Sequence, residues 1–386
     1  MQDNPPPKRD KKIGIFAASS FLNDLGSDMI SPVWPLFVTS VLKAPMGVLG
    51  FLDGLGETLV ALSQAGSGFL SDKIKKRKIF IWIGYILPAI GRAGYGISTL
   101  WQHLIPFKIA DRLSKMRDTP RDAMAAETVT KAKRGVTFGF LEALDSLGAV
   151  SGIVLCILLF QFLGFRKLFF LAALPSLVSA FLIFFFIKET SNNELYKGFG
   201  LKDISKNLRL FFLASSIFAL GTFSYSFLLI FAAHFGFKIT FIPVLYLIFT
   251  LVTSLFAWPF GRAADKFGRK TISIISFVFW GLTCLGFIWS QNYWFIIFCF
   301  VLYGLHKAAW KPIQKTFVAE LAPKELRASA LGSFQMIMGL CALPSSVLAG
   351  LLWDYFGPLA PFYFALGLTI FSTILVFFVK ESAEEI

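Results

Sequence analysis

Long apolar runs, separated by short polar and basic segments, recur along the whole chain. They lie near 13–40, 46–70, 79–97, 101–127, 135–163, 166–187, 209–235, 240–261, 270–290, 293–320, 327–352 and 358–379. Each can cross about 30 Å of hydrocarbon at about 1.5 Å per residue. Backbone groups in hydrocarbon must be satisfied within their own segment, so such runs are helices. Of the 386 residues 56% are hydrophobic, only 16% are charged, and 46 are phenylalanine. A soluble domain carries about 25% charged residues and could not hide this much apolar surface. The composition excludes a disordered or collagen-like chain and argues against a soluble enzyme. The expected fold is an all-α membrane protein with twelve transmembrane helices. The Pro-rich start, MQDNPPPKRDKK, runs directly into the first apolar run, which reads as a retained span rather than a cleaved signal peptide.

The net charge of +14 would suggest nucleic acid on a soluble protein. Here position decides otherwise. If the chain weaves through a membrane, 24 Lys and Arg fall on one side and four, Lys43, Arg166, Lys167 and Lys238, on the other. That bias puts both termini in the cytoplasm of a plasma-membrane protein, a bacterial inner membrane being the expected setting, with no nucleic-acid partner. Cys156, Cys284, Cys299 and Cys341 all fall within apolar runs and lack metal-ligand spacing, so neither a metal nor a cofactor is expected.

The chain repeats itself. GFLSDKIKKRK begins at Gly68 and GRAADKFGRK at Gly261, 193 residues later. The same offset carries Ala126-Glu127 onto Ala319-Glu320 and Arg134 onto Arg327, while Pro120 and Pro312 match at 192. This predicts two six-span halves, 1–187 and 209–386, joined by a polar cytoplasmic linker, 188–208.

These features resemble the major facilitator superfamily, whose two parallel six-span halves hold a substrate site between them. The family loop after the second and eighth spans reads G-x-L-S/A-D-R/K-x-G-R/K-R/K. The first copy supplies Gly68, Leu70, Ser71, Asp72, Lys73, Lys76 and Arg77, with Lys75 where the glycine belongs. The second supplies Gly261, Ala264, Asp265, Lys266, Gly268, Arg269 and Lys270. The resemblance implies that this loop gates the transporter. Gly68 and Gly261 would allow close helix approach, and the two aspartates would cap a helix or pair with a basic residue. Span four keeps the family's arginine as Arg112, followed by Lys115 and Met116 where small residues belong. Span five keeps Gly148 and Gly152 but has Ile153 for the proline of many antiporters. The resemblance to drug-exporting members is therefore partial. The stretch 111–127 looks like a bacterial subgroup of mostly unassigned substrate.

Charges inside spans cost about 2.5–3.5 kcal/mol each at the bilayer centre, so they must pair or line water. Nine acidic and nine basic residues fall there, nearly all in spans one, two, four, five and ten, with Arg92 the exception in span three. Asp24 and Asp28 share a face, as do Asp53 and Glu57. At about 100° per residue, Asp111, Lys115, Asp118 and Asp122 lie within roughly 40° of one another on a span four that bends at Pro120. Arg117, Asp118, Arg121 and Asp122 read as an interlocked gate network, and Glu127 and Glu320 as rim caps or pairs. Substrate or coupling candidates are Asp24, Asp28, Glu57, Arg112, Lys115, His306 and Lys307.

No GxxxxGK[ST] loop, zinc signature or nucleophile elbow is present, so ATP is not the internal energy source and no enzyme chemistry is indicated. A gradient must drive transport, with a buried carboxylate as proton carrier. The sequence reads as a monomeric, proton-coupled secondary transporter of a small polar or amphipathic organic solute, with lipids and protons as its other partners. Export of drugs or siderophore-like metabolites, nutrient uptake, a non-transporting receptor or scaffold, and a lipid flippase on the same fold all stay open.

Overall fold

The computed structural model describes residues 11–130, 133–189, 205–323 and 326–380. Most of the expected linker, 190–204, lies outside them, as do Lys8, Arg9, Lys131, Lys197, Lys202 and Lys324. Among the described residues the structure is helical, without strands. The helices are α1 (Lys11–Ile30), α2 (Trp34–Leu36), α3 (Met46–Ile74), α4 (Lys78–Ile97), α5 (Leu104–Leu113), α6 (Asp118–Thr128) and α7 (Arg134–Phe186). They continue with α8 (Lys206–Leu220), α9 (Tyr225–Phe235), α10 (Ile242–Phe267), α11 (Arg269–Ile288), α12 (Tyr293–Leu321), α13 (Arg327–Phe356) and α14 (Ala360–Phe377).

Eight helical stretches are long and apolar enough to cross a bilayer, with α8 and α9 counted as one. The stretch α7 is two spans joined at Gly164, whose φ of 64° and ψ of −172° are open only to glycine. The three spans that pure hydropathy misses are α1 with α2, α4, and α5 with α6. This is the twelve-helix membrane fold.

The first span of each half is broken at a matching place. Span one stops at Ile30, resumes at Trp34 and winds into a π-helical turn, Phe37–Val41. Span seven stops at Leu220 and resumes at Tyr225, with Ser224 as N-cap. Glycines allow the tightest crossings. A Cβ at Gly148 or Gly152 of α7 would strike the backbone of α1 at Phe21 and Leu25.

Contacts cluster into two compact units. One gathers the described residues of Met1–Ser31, Ser63–Ser98 and Gln102–Tyr196. The other gathers those of Pro32–Leu62, Thr99–Trp101 and Lys197–Ile386, so the first half of α3 packs with α8 to α14.

Candidate functional site

At the basic end of each unit the repeated loop builds the same ion cluster. Arg77 follows α3 and reaches Asp72 at 2.9 Å and also Glu127 at the end of α6. Arg269 opens α11 and reaches Asp265 at 2.6 Å and Glu320 of α12 at 3.0 Å. The Arg77 cluster is the better shielded. Its two carboxylate side chains are 24% and 26% exposed, against 70% and 44% in the second copy. Burial opposes the Arg77 charge, but hydrogen bonds and attraction from Glu127 and Asp72 outweigh it and raise the pKa. Glu189 adds a cap, accepting from the backbone N–H of Arg77 at 2.9 Å and of Lys78 at 3.1 Å. Lys73 lies 6.0 Å from the Phe69 ring and Lys266 lies 5.3 Å from the Phe267 ring. The loop also demands a left-handed residue. Gly268 supplies it in the second copy with φ 90°, and Lys75 is forced to φ 55° in the first, where glycine was expected.

The two motif glycines differ. A Cβ at Gly68 would lie 2.9 Å from Thr119 Cγ2, where Thr119 also donates to the Gln64 carbonyl at 3.1 Å. A Cβ at Gly261 would meet nothing within 4 Å. The expected close approach is therefore absent at Gly261. Lys311 stands where Thr119 would repeat, Ala257 where Gln64 would, and Gly261, Ala257 and Thr316 line a cavity of about 540 Å³.

Span four departs in part from the expected single face. The chain winds as a 3-10 turn over Ser114–Arg117, one turn before Pro120, which sits in the first turn of α6. Proline has no N–H to return to residue 116, so the disturbance falls on the preceding turn. At about 120° per residue rather than about 100°, four residues accumulate roughly 80° of extra rotation. Asp111 is thereby turned away from the other three, while Lys115 still acts on Asp118 and Asp118 on Asp122. Asp111 lies 3.7 Å from both Arg92 and Arg112. Lys115 lies 4.0 Å from Asp24. Asp118 accepts from Gln64 at 3.0 Å and lies 3.6 Å from Arg117. Asp122 meets Arg121 at 2.8 Å.

The result is a continuous polar core. Asp24 takes Lys115 on one side and Arg117 at 3.9 Å on the other. Arg117 is 2% exposed, stacks 4.8 Å over Tyr85 and donates to the carbonyls of Gly84 and Ser114. Arg121 bonds to Ser20 and lies 3.8 Å from Asp145. Arg92, the exception in span three, explains itself. It donates to the Ala172 carbonyl at 3.1 Å, Ser176 Oγ at 2.7 Å and the Asn23 carbonyl at 3.3 Å. Ser176 continues to Asn23, and Asn23 to Asp24.

The remaining candidates fall elsewhere. Asp28 is half-buried, one turn beyond Asp24 on α1. Glu57 is exposed midway along α3. Lys307 is half-buried with its Nζ 5.5 Å from the Tyr303 ring centroid, and both Glu57 and Lys307 act electrostatically on Tyr303. His306 does not join Lys307. It is fully buried against α11, with Nδ1 2.9 Å from Ser276 Oγ and 3.0 Å from the Ser276 carbonyl, among the rings of Phe218, Trp280 and Tyr303. The carbonyl requires a proton on Nδ1.

Two further groups stand outside the residues expected to form the site. Asp53 accepts from Trp34 Nε1 at 2.8 Å, Ser224 Oγ at 2.7 Å and Ser226 Oγ at 2.5 Å. Asp354 of α13 accepts from the backbone N–H of Met46 at 3.0 Å and of Gly47 at 2.7 Å. The signals for Asp53 were its charge inside a span and its four-residue spacing from Glu57. Asp354 offered only its place at the end of an apolar run.

The sequence model of the Major Facilitator Superfamily matches residues 16–238 and 210–385. The chain belongs to the major facilitator superfamily. An uncharacterised MFS-type transporter of Methanocaldococcus jannaschii is 34% identical over 393 residues, 98% of either chain. A multi-drug resistance efflux pump homologue of Lactococcus lactis is 31% identical over 137 residues, 35% of this chain and 34% of the relative. The crystal structure of the nucleoside transporter NupG matches 95% of this chain and 97% of its own, with a TM-score of 0.77 at 16% identity. At that identity the likeness is one of fold. This superfamily member is a multi-pass membrane transporter.

Proposed function

We propose that the protein is a proton-coupled secondary transporter of a small polar or amphipathic organic solute, working by alternating access. In this reading it is a monomer in the plasma membrane, with both termini and the linker 188–208 in the cytoplasm. The Arg77 and Arg269 clusters gate its cytoplasmic end.

The observation that carries the coupling is Glu57. A carboxylate exposed midway along a membrane-spanning helix must face water rather than lipid. Glu57 and the ammonium of Lys307 both act on Tyr303, so both signs of charge stand near one side chain. That suits a zwitterion or an organic anion. Asp28 is the second coupling candidate. The named relative and fold neighbour, an efflux pump homologue and a nucleoside transporter, make amphipathic drugs and nucleosides reasonable members of a test panel.

The test uses proteoliposomes holding a pH-sensitive dye, offered nucleosides, organic anions, dipeptides and cationic dyes with and without an imposed pH gradient. Wild type is expected to accumulate one class in response to the gradient. Glu57→Gln should lose that accumulation while still exchanging the same solute. Equal accumulation by wild type and Glu57→Gln, or a wild type indifferent to the gradient, overturns coupling through Glu57.

A further inference from the structure

Along the first half of α3, small residues meet α13 at every turn. A Cβ at Gly50 would strike the backbone of Ser346, and one at Gly54 the backbone of Leu343. A Cβ at Gly350 would strike the backbone of Met46. Thr58 Oγ1 donates to the Gly339 carbonyl at 2.7 Å. The partners run 46, 50, 54, 58 up one helix and 350, 346, 343, 339 down the other. This is an antiparallel crossing of a four-residue ridge on α3 with a row of four- and three-residue steps on α13, backbone nearly on backbone. Residues 46–58 belong to the first half of the sequence and 339–350 to the second, yet they fall in one compact unit.

A carboxylate stands at each junction of this seam with a helix start. Asp354, from the second half of the sequence, binds the first two amides of α3, from the first. Those N–H groups have no partner within their own helix, and the start of a helix favours negative charge. Asp53, from the first half, binds Ser224 and Ser226 at the start of α9, from the second. Ser224 is the N-cap of α9, where its Oγ accepts from the Ser226 N–H at 3.2 Å. Asp53 is thus charge placed on the cap itself. Its other oxygen takes the indole of Trp34, at the break in span one. Each half of the sequence caps a helix of the other.

We propose that Asp53 and Asp354 are reciprocal latches that hold this end of the transporter closed, and that both are released when it opens. Asp53 is a positioning residue here, not a substrate ligand. The residue is 9% exposed, and its carboxylate has donors on both oxygens. The latch does not depend on proton coupling, because its strength comes from helix starts and hydroxyl donors. Loss of a helix cap shifts an equilibrium by about 1 kcal/mol, roughly five-fold. Two caps released in one transition multiply to about twenty-five-fold.

The test measures distance in the full-length protein in nanodiscs, without substrate. Spin labels replace Lys43 and Leu359, both exposed and near the seam, in a Cys341→Ala background. Asp53→Asn and Asp354→Asn should each enlarge a longer-distance population by roughly five-fold, and the double variant by about twenty-five-fold. Asp354→Glu should restore the wild-type distribution. Ser224→Ala/Ser226→Ala, which removes donors while leaving the carboxylate in place, should open the seam as Asp53→Asn does. A lower melting temperature with unchanged distance distributions makes these carboxylates ordinary structural caps and overturns the latch. So does an unchanged distribution in the serine variant. Neither readout involves transport, so failure here leaves the reading of Glu57 untouched.

Discussion

Counting 192 residues on from Tyr85, Arg92, Arg117 and Asp118 reaches Phe277, Cys284, Ala309 and Trp310. The two halves share a fold, and at these matched positions one buries charge and the other buries rings or small side chains. In the first, Arg92 and Arg117 are 1% and 2% exposed, and their carbonyl, hydroxyl and carboxylate partners come from spans one, three, four and six. In the second, Phe218 stacks on Phe277 at 3.7 Å and meets Trp310 edge-on, while Trp280 packs on Phe223 and Tyr303. The difference is one of reversibility. Ring packing has one low-energy arrangement and no charge to move. A buried ion network is costly to leave incomplete, but its members can exchange partners.

The largest test of this contrast is Arg92→Met. Taking away the more buried of Asp111's two arginines, and the donor to the Ala172 and Asn23 carbonyls, should destabilise the protein by about 3–5 kcal/mol, whereas Cys284→Ala should cost about 1 kcal/mol. Arg92→Met/Asp111→Leu should recover only part of the loss: it removes the buried pair itself, but leaves Arg112 and the Ala172 and Asn23 carbonyls without these partners. Denaturation in detergent micelles reads all three. If Arg92→Met costs no more than Cys284→Ala, the first half does not rest on its ionic core.

A smaller difference separates the two loop clusters. Arg77→Lys and Arg269→Lys each replace a two-armed guanidinium with a point charge. The loss should be about 1.5 kcal/mol at Arg77, where the partners are shielded. At Arg269 it should be below about 1 kcal/mol and fade in high salt, because Asp265 is 70% exposed. Melting temperatures at low and high salt decide it, and identical losses would erase the distinction.

The smallest effect should change sign. Gly68→Ala presses on Thr119 and should cost about 1 kcal/mol. Gly261→Ala points into open space and should gain about 0.5–1 kcal/mol, as alanine does at a compatible helix position. Equal shifts in melting temperature for the two variants would mean that α3 and α10 cross their neighbours alike.

Hydropathy and the 193-residue repeat made the twelve spans and the loop glycines and aspartates readable, because each signal recurs. The pairing of Asp72 with Arg77 was within reach for the same reason. The offset of Asp111 from the rest of the span-four face was not, because Pro120 acts on the turn before it and a 3-10 segment has no composition of its own. His306 looked like a site residue because a polar side chain in an apolar run stands out. Its partner Ser276 belongs to another helix, 30 residues away. Asp53 lies farther still from its donors, 171 and 173 residues from Ser224 and Ser226, and no local pattern records such a meeting.

Gly164 joins the fifth and sixth spans without a loop, and Arg166 donates to the Gly96 carbonyl at 3.0 Å just beyond it. A hinge of one residue has no slack. The two spans therefore form a tight hairpin, with Arg166 and Lys167 near its tip. Once there, a tilt imposed on one is delivered to the other. An inserted tag at this corner would have no spare chain to loop out, whereas the stretch around Lys43 between α2 and α3 offers several residues. The corner is a mechanical linkage, and its sharpness depends on a single missing side chain.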